Sequence, residues 1–109
     1  MIQMSRSIPP QVSAIVHEGV RYEQVMNGIR QGLPHRNGYL SATDVASSQR
    51  LWTTQVYEVQ YDAALEKDVQ DVYFKQMTLT PDQQHLLIEN EAGKRFLVQL
   101  SDHTVSTAP

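Results

Sequence analysis

From residue 12 to residue 105 the chain alternates short runs of apolar, aromatic and β-branched residues with clusters of glycine, proline, asparagine, aspartate and serine. That punctuation restricts the chain to strands joined by turns, since apolar runs of roughly four to eight residues bounded by turn formers read as β-strands and are too short for a packed helix. The runs cover 12–17, 20–26, 39–45, 50–61, 69–79, 85–90 and 95–100, and Val105 could extend a last edge. Glu18-Gly19, Asn37-Gly38, Thr80-Pro81-Asp82 and Glu91-Ala92-Gly93-Lys94 supply the tight turns, because these residues tolerate positive φ or preset a turn φ. Residues 62–68 (Asp-Ala-Ala-Leu-Glu-Lys-Asp) hold the one helical signal: Asp62 suits an N-cap and Ala63 to Glu66 are helix formers. It is long enough for a turn or two. The expected fold is all-β: a curved antiparallel meander of six to seven strands that could close into a barrel, with one short helical turn.

The two longest runs change phase. Trp52 and Val56 share one face of 50–61, whereas Tyr57, Val59 and Tyr61 share the other; in 69–79 the phase moves from Val72 and Phe74 to Met77 and Leu79. A strict period of two cannot hold both sets on one face. A bulge or bend, placed near Thr54–Gln55 in the first run, reconciles them.

At 109 residues the chain suits one domain. We expect a flexible arm over 1–10, a domain over 11–105 and a flexible tail over 106–109, since few apolar groups tie either end. No cysteine is present, which excludes disulfides, thiolate metal sites and cysteine nucleophiles and leaves the redox compartment open. No apolar stretch has the length of a membrane span or the form of a signal peptide, so the reading is a small cytoplasmic, bacterial-type protein. The net charge of −3 argues against a general nucleic-acid binder. The charge is uneven: residues 21–50 carry four arginines against two carboxylates, net +2, and residues 58–71 carry five carboxylates against one lysine, net −4. Such polarity can steer a charged partner.

Residues 38–52 contain Gly38, Ala42, Asp44, Leu51 and Trp52 in the order Gly-x-x-x-Ala-x-Asp, then Leu-Trp, with Ser47 and Ser48 between. The segment resembles one blade repeat of pyrroloquinoline-quinone-type β-propellers, whose pattern is Gly-x-x-x-Ala-x-Asp-x-x-Thr-Gly-x-x-x-Trp. Ser47 stands where the family has Thr and Ser48 where it has Gly. The resemblance covers 15 residues and implies a strand, tight turn and strand, with Asp44 accepting turn N–H groups and Trp52 packing across the hairpin. It implies no cofactor, because a propeller needs about four to eight blades and the hairpin at 86–96 lacks the Asp and Trp spacing.

Catalytic signatures are missing from the sequence. There is no Gly-x-Ser-x-Gly elbow, phosphate loop or dinucleotide fingerprint. The acidic segment has no EF-hand order, and His17, His35, His85 and His103 lack zinc spacing. No catalytic, metal or cofactor residue is therefore assigned; an enzyme would need at least two of His17, His35 and His85 to converge on a carboxylate. The binding candidates are Trp52, Tyr57, Tyr61, Asp62, Glu66, Asp68 and Asp71, an aromatic and acidic face for a protein partner or a second copy. The glycine-containing loop 28–38 offers Arg30, His35 and Arg36 to an anion. The leading expectation is a non-catalytic protein-interaction module of inhibitor, immunity or accessory type. The alternative is a small-ligand-binding β-barrel with a cavity lined by Trp52, Tyr57, Tyr73 and Phe74.

Overall fold

The computed structural model describes residues 12–65 and 70–109; the expected arm over 1–10 and the second half of the expected helical turn lie outside the described residues. Eight strands form two four-stranded antiparallel sheets. The first has β1 (Ile15–His17), β2 (Val20–Gln24), β3 (Tyr39–Asp44) and β4 (Arg50–Gln55), and the second β5 (Phe74–Leu79), β6 (His85–Asn90), β7 (Arg95–Gln99) and β8 (Val105–Ala108). Each sheet is a sequential meander, in the orders β1-β2-β3-β4 and β5-β6-β7-β8. The all-β antiparallel expectation holds at this level. The count rises to eight and no barrel closes, because β4 pairs with β3 alone and β5 with β6 alone.

The break between the sheets falls inside the two long runs, whose strands are shorter than expected. At Gly38 one carbonyl accepts from both Val56 N–H (2.6 Å) and Tyr57 N–H (3.4 Å), so the ladder ends there and the chain leaves the sheet. Gly38 has φ +94, and a β-carbon on it would collide with the Tyr57 carbonyl; only glycine permits this exit. The phase change in 50–61 is thus a departure from the sheet. In 69–79 it is a bulge: the β5–β6 register shifts between Phe74 and Gln76, leaving Lys75 unopposed. A further bulge lies in β3–β4, where Ala42 faces Trp52 but Thr43 faces Arg50; Leu51 is the extra residue. Residues 63–65 form a turn, one 3₁₀ turn occurs at Ile29–Gln31, and residues 106–108, expected as loose tail, complete edge strand β8. Pairing of Phe96 with Thr107 and Leu97 with Ser106 holds that edge.

The two sheets share one hydrophobic core. Tyr22, Leu40 and Ala42 enter it from the first sheet, Met77, Leu86, Ile88, Phe96 and Val98 from the second, and Val56 and Phe74 from the two ends of the crossover. Leu40, Phe74, Leu86, Ile88 and Val98 have no exposed surface. Side-chain alternation along each strand puts these residues on one face. Among the described residues no helix is long and apolar enough to cross a membrane.

Turn chemistry recurs. Asp62, Asp82, Asn90 and Asp102 each accept the N–H of the residue two positions on, from Ala64, Gln84, Ala92 and Thr104. In the β3–β4 turn Asp44 accepts from Ser47 N–H (2.8 Å) and the Ser47 hydroxyl (2.7 Å), and Ser48 takes φ 61. A side chain in that left-handed region is strained by roughly 1 kcal/mol. Ser48→Gly is accordingly expected to be neutral or to stabilise by about 0.5–1 kcal/mol in urea unfolding, whereas Phe74→Ala, which opens a void at the sheet junction, should cost about 3–5 kcal/mol.

Candidate functional site

The crossover between the sheets carries most of the residues singled out above, and its side chains are drawn into a polar cluster. Asp71, whose side chain is 1 % exposed, accepts a two-pronged guanidinium from Arg36: Nε to Oδ1 at 3.0 Å and Nη2 to Oδ2 at 2.9 Å. Tyr61 donates its hydroxyl to Oδ1 at 2.7 Å and Tyr73 donates to Oδ2 at 3.2 Å. A carboxylate has about four lone-pair positions, and both oxygens are engaged by these bonds. Asn37, buried beside the cluster, accepts the Val72 N–H at 3.2 Å through Oδ1, which also lies 3.0 Å from the Tyr61 hydroxyl. Among the described residues the enclosed Asn37 amide nitrogen has no hydrogen-bond partner, a costly arrangement.

The electrostatics follow from this geometry. Burial pushes the Asp71 carboxyl up, but the Arg36 and phenol hydrogen bonds outweigh it and hold the group below its usual range. The same bond raises Arg36 further above its ordinary value. Tyr61 is raised by burial first and then by its hydrogen bond to Asp71, and Tyr57 by burial first and then by the Glu91 charge. In this clasp the raised phenols stay protonated at neutral pH and serve as hydrogen-bond donors, Tyr61 to Asp71 and Tyr57 to the Val72 carbonyl.

The partner face expected from the sequence is not assembled as expected. Asp71 turns inward and is satisfied by Arg36, which also removes Arg36 from the anion loop. Trp52 is half-buried, stacked on His103 at 4.0 Å with 20° between the rings and tilted against Tyr22. Tyr57 lies between Phe74 and Phe96, at centroid distances of 6.0 and 5.4 Å, and donates its hydroxyl to the Val72 carbonyl at 2.6 Å. Tyr73 and Phe74 are buried. The four aromatics expected to line a cavity are therefore packed into the core or against it, because each phenol and ring finds an internal neighbour. Asp62 remains exposed at its turn; Glu66 and Asp68 lie outside the described residues. In the loop, Arg30 is exposed, while His35 lies 3.5 Å from Glu58.

The histidines do not converge. His17 lies 3.8 Å from Glu18, His35 3.5 Å from Glu58 and His85 3.5 Å from Asp82, which are three separate pairs. Among the described residues no group of three or more His, Asp or Glu side chains could hold a metal.

The concave feature beside the clasp is an open groove of about 540 Å³ between the crossover and the β6–β7 hairpin. Tyr57, Val59, Val72 and Phe96 form an apolar floor, and Glu58 and Lys94 bring opposite charges to it. The groove continues past Lys94, Phe96 and Thr107 to the end of edge strand β8, where a further open space of about 310 Å³ lies against Ala108 and Pro109. Sequence reading pointed to the crossover but missed the β6–β7 turn and β8 as its other wall. No local signal marks them, because the walls meet only when the sheets pack. Comparison with protein-family models, curated protein sequences and solved structures finds no match.

The clasp gives a test. Asp71→Asn keeps the shape but leaves the half-buried guanidinium of Arg36 without its counter-charge, so it should cost about 2–3 kcal/mol at pH 7. A carboxyl lowered by folding stabilises the protein fully above its unfolded pKa of about 3.9, and that contribution disappears as pH falls through the lower folded value. The gap between wild type and variant in urea unfolding should therefore narrow progressively as pH falls below the unfolded value. Asp44, Asp82 and Asp102, also held low by turn hydrogen bonds, are common to both proteins and cancel in the difference. A gap that stays constant with pH would count against the ionic account.

Proposed function

We propose that this chain is a non-catalytic protein-interaction module that receives an extended segment of a partner protein in the groove between the crossover and the β6–β7 hairpin. The observation that carries the reading is the groove's form. It is long, open to solvent, floored by Tyr57, Val59, Val72 and Phe96, and bordered by Glu58 and Lys94. An apolar floor with a charged rim is the composition of a protein-binding patch. Its far end runs along β8, which has only β7 as a neighbour in its sheet, and an extended peptide can add its main chain to such an edge. A compact small ligand is the second reading, because the volume falls within the usual range for such sites. The openness of the groove and its continuation along an edge strand favour the extended segment.

A displayed library of unstructured peptides, about ten residues long, tests this directly. Selection should enrich peptides with one or two apolar anchors. Ala92→Arg, an exposed turn position on the groove wall, should weaken the enriched peptides at least tenfold, about 1.4 kcal/mol, with unchanged thermal unfolding. Failure to enrich any peptide, or affinity indifferent to Ala92→Arg, would remove the groove from consideration.

A further inference from the structure

The outward faces of the two sheets treat their arginines differently. On the second sheet Arg95 stands opposite Glu89 in the β6–β7 register, with Nε 3.5 Å from the carboxylate, and Glu89 also lies 3.8 Å from Lys75. On that face Arg95 and Lys75 share a carboxylate partner, Glu89. On the first sheet Arg21 and Arg50 both stand opposite Thr43, one from β2 and one from β4. With neighbouring strands about 4.8 Å apart, the two arginine positions are roughly 10 Å apart across the sheet. Arg50 donates to two neutral oxygens, Thr53 Oγ1 at 3.0 Å and Gln31 Oε1 at 3.4 Å. The second bond brings the 3₁₀ turn, and with it exposed Arg30, beside this face. Among the described residues none of Arg21, Arg30 and Arg50 forms an ion pair, and all three are exposed.

Apolar side chains border the same row. Val16, opposite Arg21 in the β1–β2 register, is 59 % exposed, and Leu51, the extra residue of the β3–β4 bulge next to Arg50, is 51 % exposed. Ile29, next to Arg30, is 52 % exposed. Two unpaired arginines and two exposed aliphatic side chains on one sheet face contribute little to the fold itself, and such a mixed patch marks a binding surface.

We propose that this outward face of the first sheet docks an acidic protein segment whose carboxylates, about 10 Å apart, meet Arg21 and Arg50 while its aliphatic side chains cover Val16 and Leu51. Charge complementarity sets the sign of the partner, and guanidinium forks suit carboxylates. The apolar border selects protein over nucleic acid. A single strand of nucleic acid is held by basic grooves with aromatic platforms, and the exposed apolar residues here are all aliphatic. This surface lies on the opposite side of the first sheet from the shared core and is separate from the groove, so either can fail without the other.

The test uses the whole chain and a fluorescein-labelled 12-residue peptide with Glu at every third position, about 9–10 Å apart in an extended chain, and Leu or Val between. Anisotropy should show binding that weakens at least tenfold between 50 and 300 mM NaCl. The double variant Arg21→Ala/Arg50→Ala should weaken it at least tenfold at low salt, and Ala92→Arg should leave it unchanged. Amide NMR shifts on adding the peptide should centre on Arg21, Thr43, Arg50 and Leu51. Exposed positions make both variants expected to unfold at the wild-type temperature. The proposal is overturned by absence of binding, by affinity that ignores the double variant, by shifts centred on the groove, or by a 12-nucleotide single strand that binds more tightly than the peptide.

Discussion

The bidentate contact between Arg36 and Asp71 is the constraint on which the arrangement of the two sheets depends. It joins the loop that enters β3 to the segment that enters β5, positions 35 apart in sequence. Around it Tyr61, Tyr73 and Asn37 fix the crossover at several points, and Gln24 at the end of β2 accepts the Phe74 N–H at 2.7 Å. The described residues of the crossover form no strand, and several of its backbone groups bond to side chains, Val72 N–H to Asn37 and Asp62 N–H to Gln70. An unpaired buried carboxylate would be strongly unfavourable. Here four hydrogen bonds compensate its burial and make the geometry unique. The groove inherits its shape from that clasp, because Tyr57 and Val72, joined by a hydrogen bond, form part of its floor.

Local order was legible and long-range order was not. Strand β6 begins and ends where the residues said it should, since His85 to Asn90 lies between turns with Pro81-Asp82 on one side and Gly93 on the other. The phase changes in the two long runs were visible and meaningful, yet they had two different causes. One is a carbonyl at Gly38 that accepts twice and ends a strand. The other is a bulge at Lys75. Sequence periodicity records that a face has switched; it does not record whether the strand bends or stops. No barrel closes, because within these two runs the chain leaves one sheet and enters another.

The candidate site was harder to read for a related reason. Acidic residues in the sequence appeared as a potential surface, but Asp44, Asp62, Asp82 and Asp102 are hydrogen-bond acceptors in turns and Asp71 is the centre of a buried clasp. Charge counted along the chain cannot distinguish a carboxylate bound to backbone N–H groups from one left for a partner. The same count placed positive charge in residues 21–50; of those arginines Arg36 is consumed internally, while the strand register brings Arg21 and Arg50 into one row.

The meander order has a consequence for assembly. Every ladder bond in the first sheet lies within residues 15–55, and every one in the second within residues 74–108. A chain divided in the exposed turn at 62–65 would therefore keep both ladders intact. It would lose only covalent continuity through the crossover, while the shared core and the Arg36–Asp71 contact would still be available to join the halves. The molecule is organised as a pair of complementary fragments, the natural form for a split reporter whose signal appears when two separately made pieces meet.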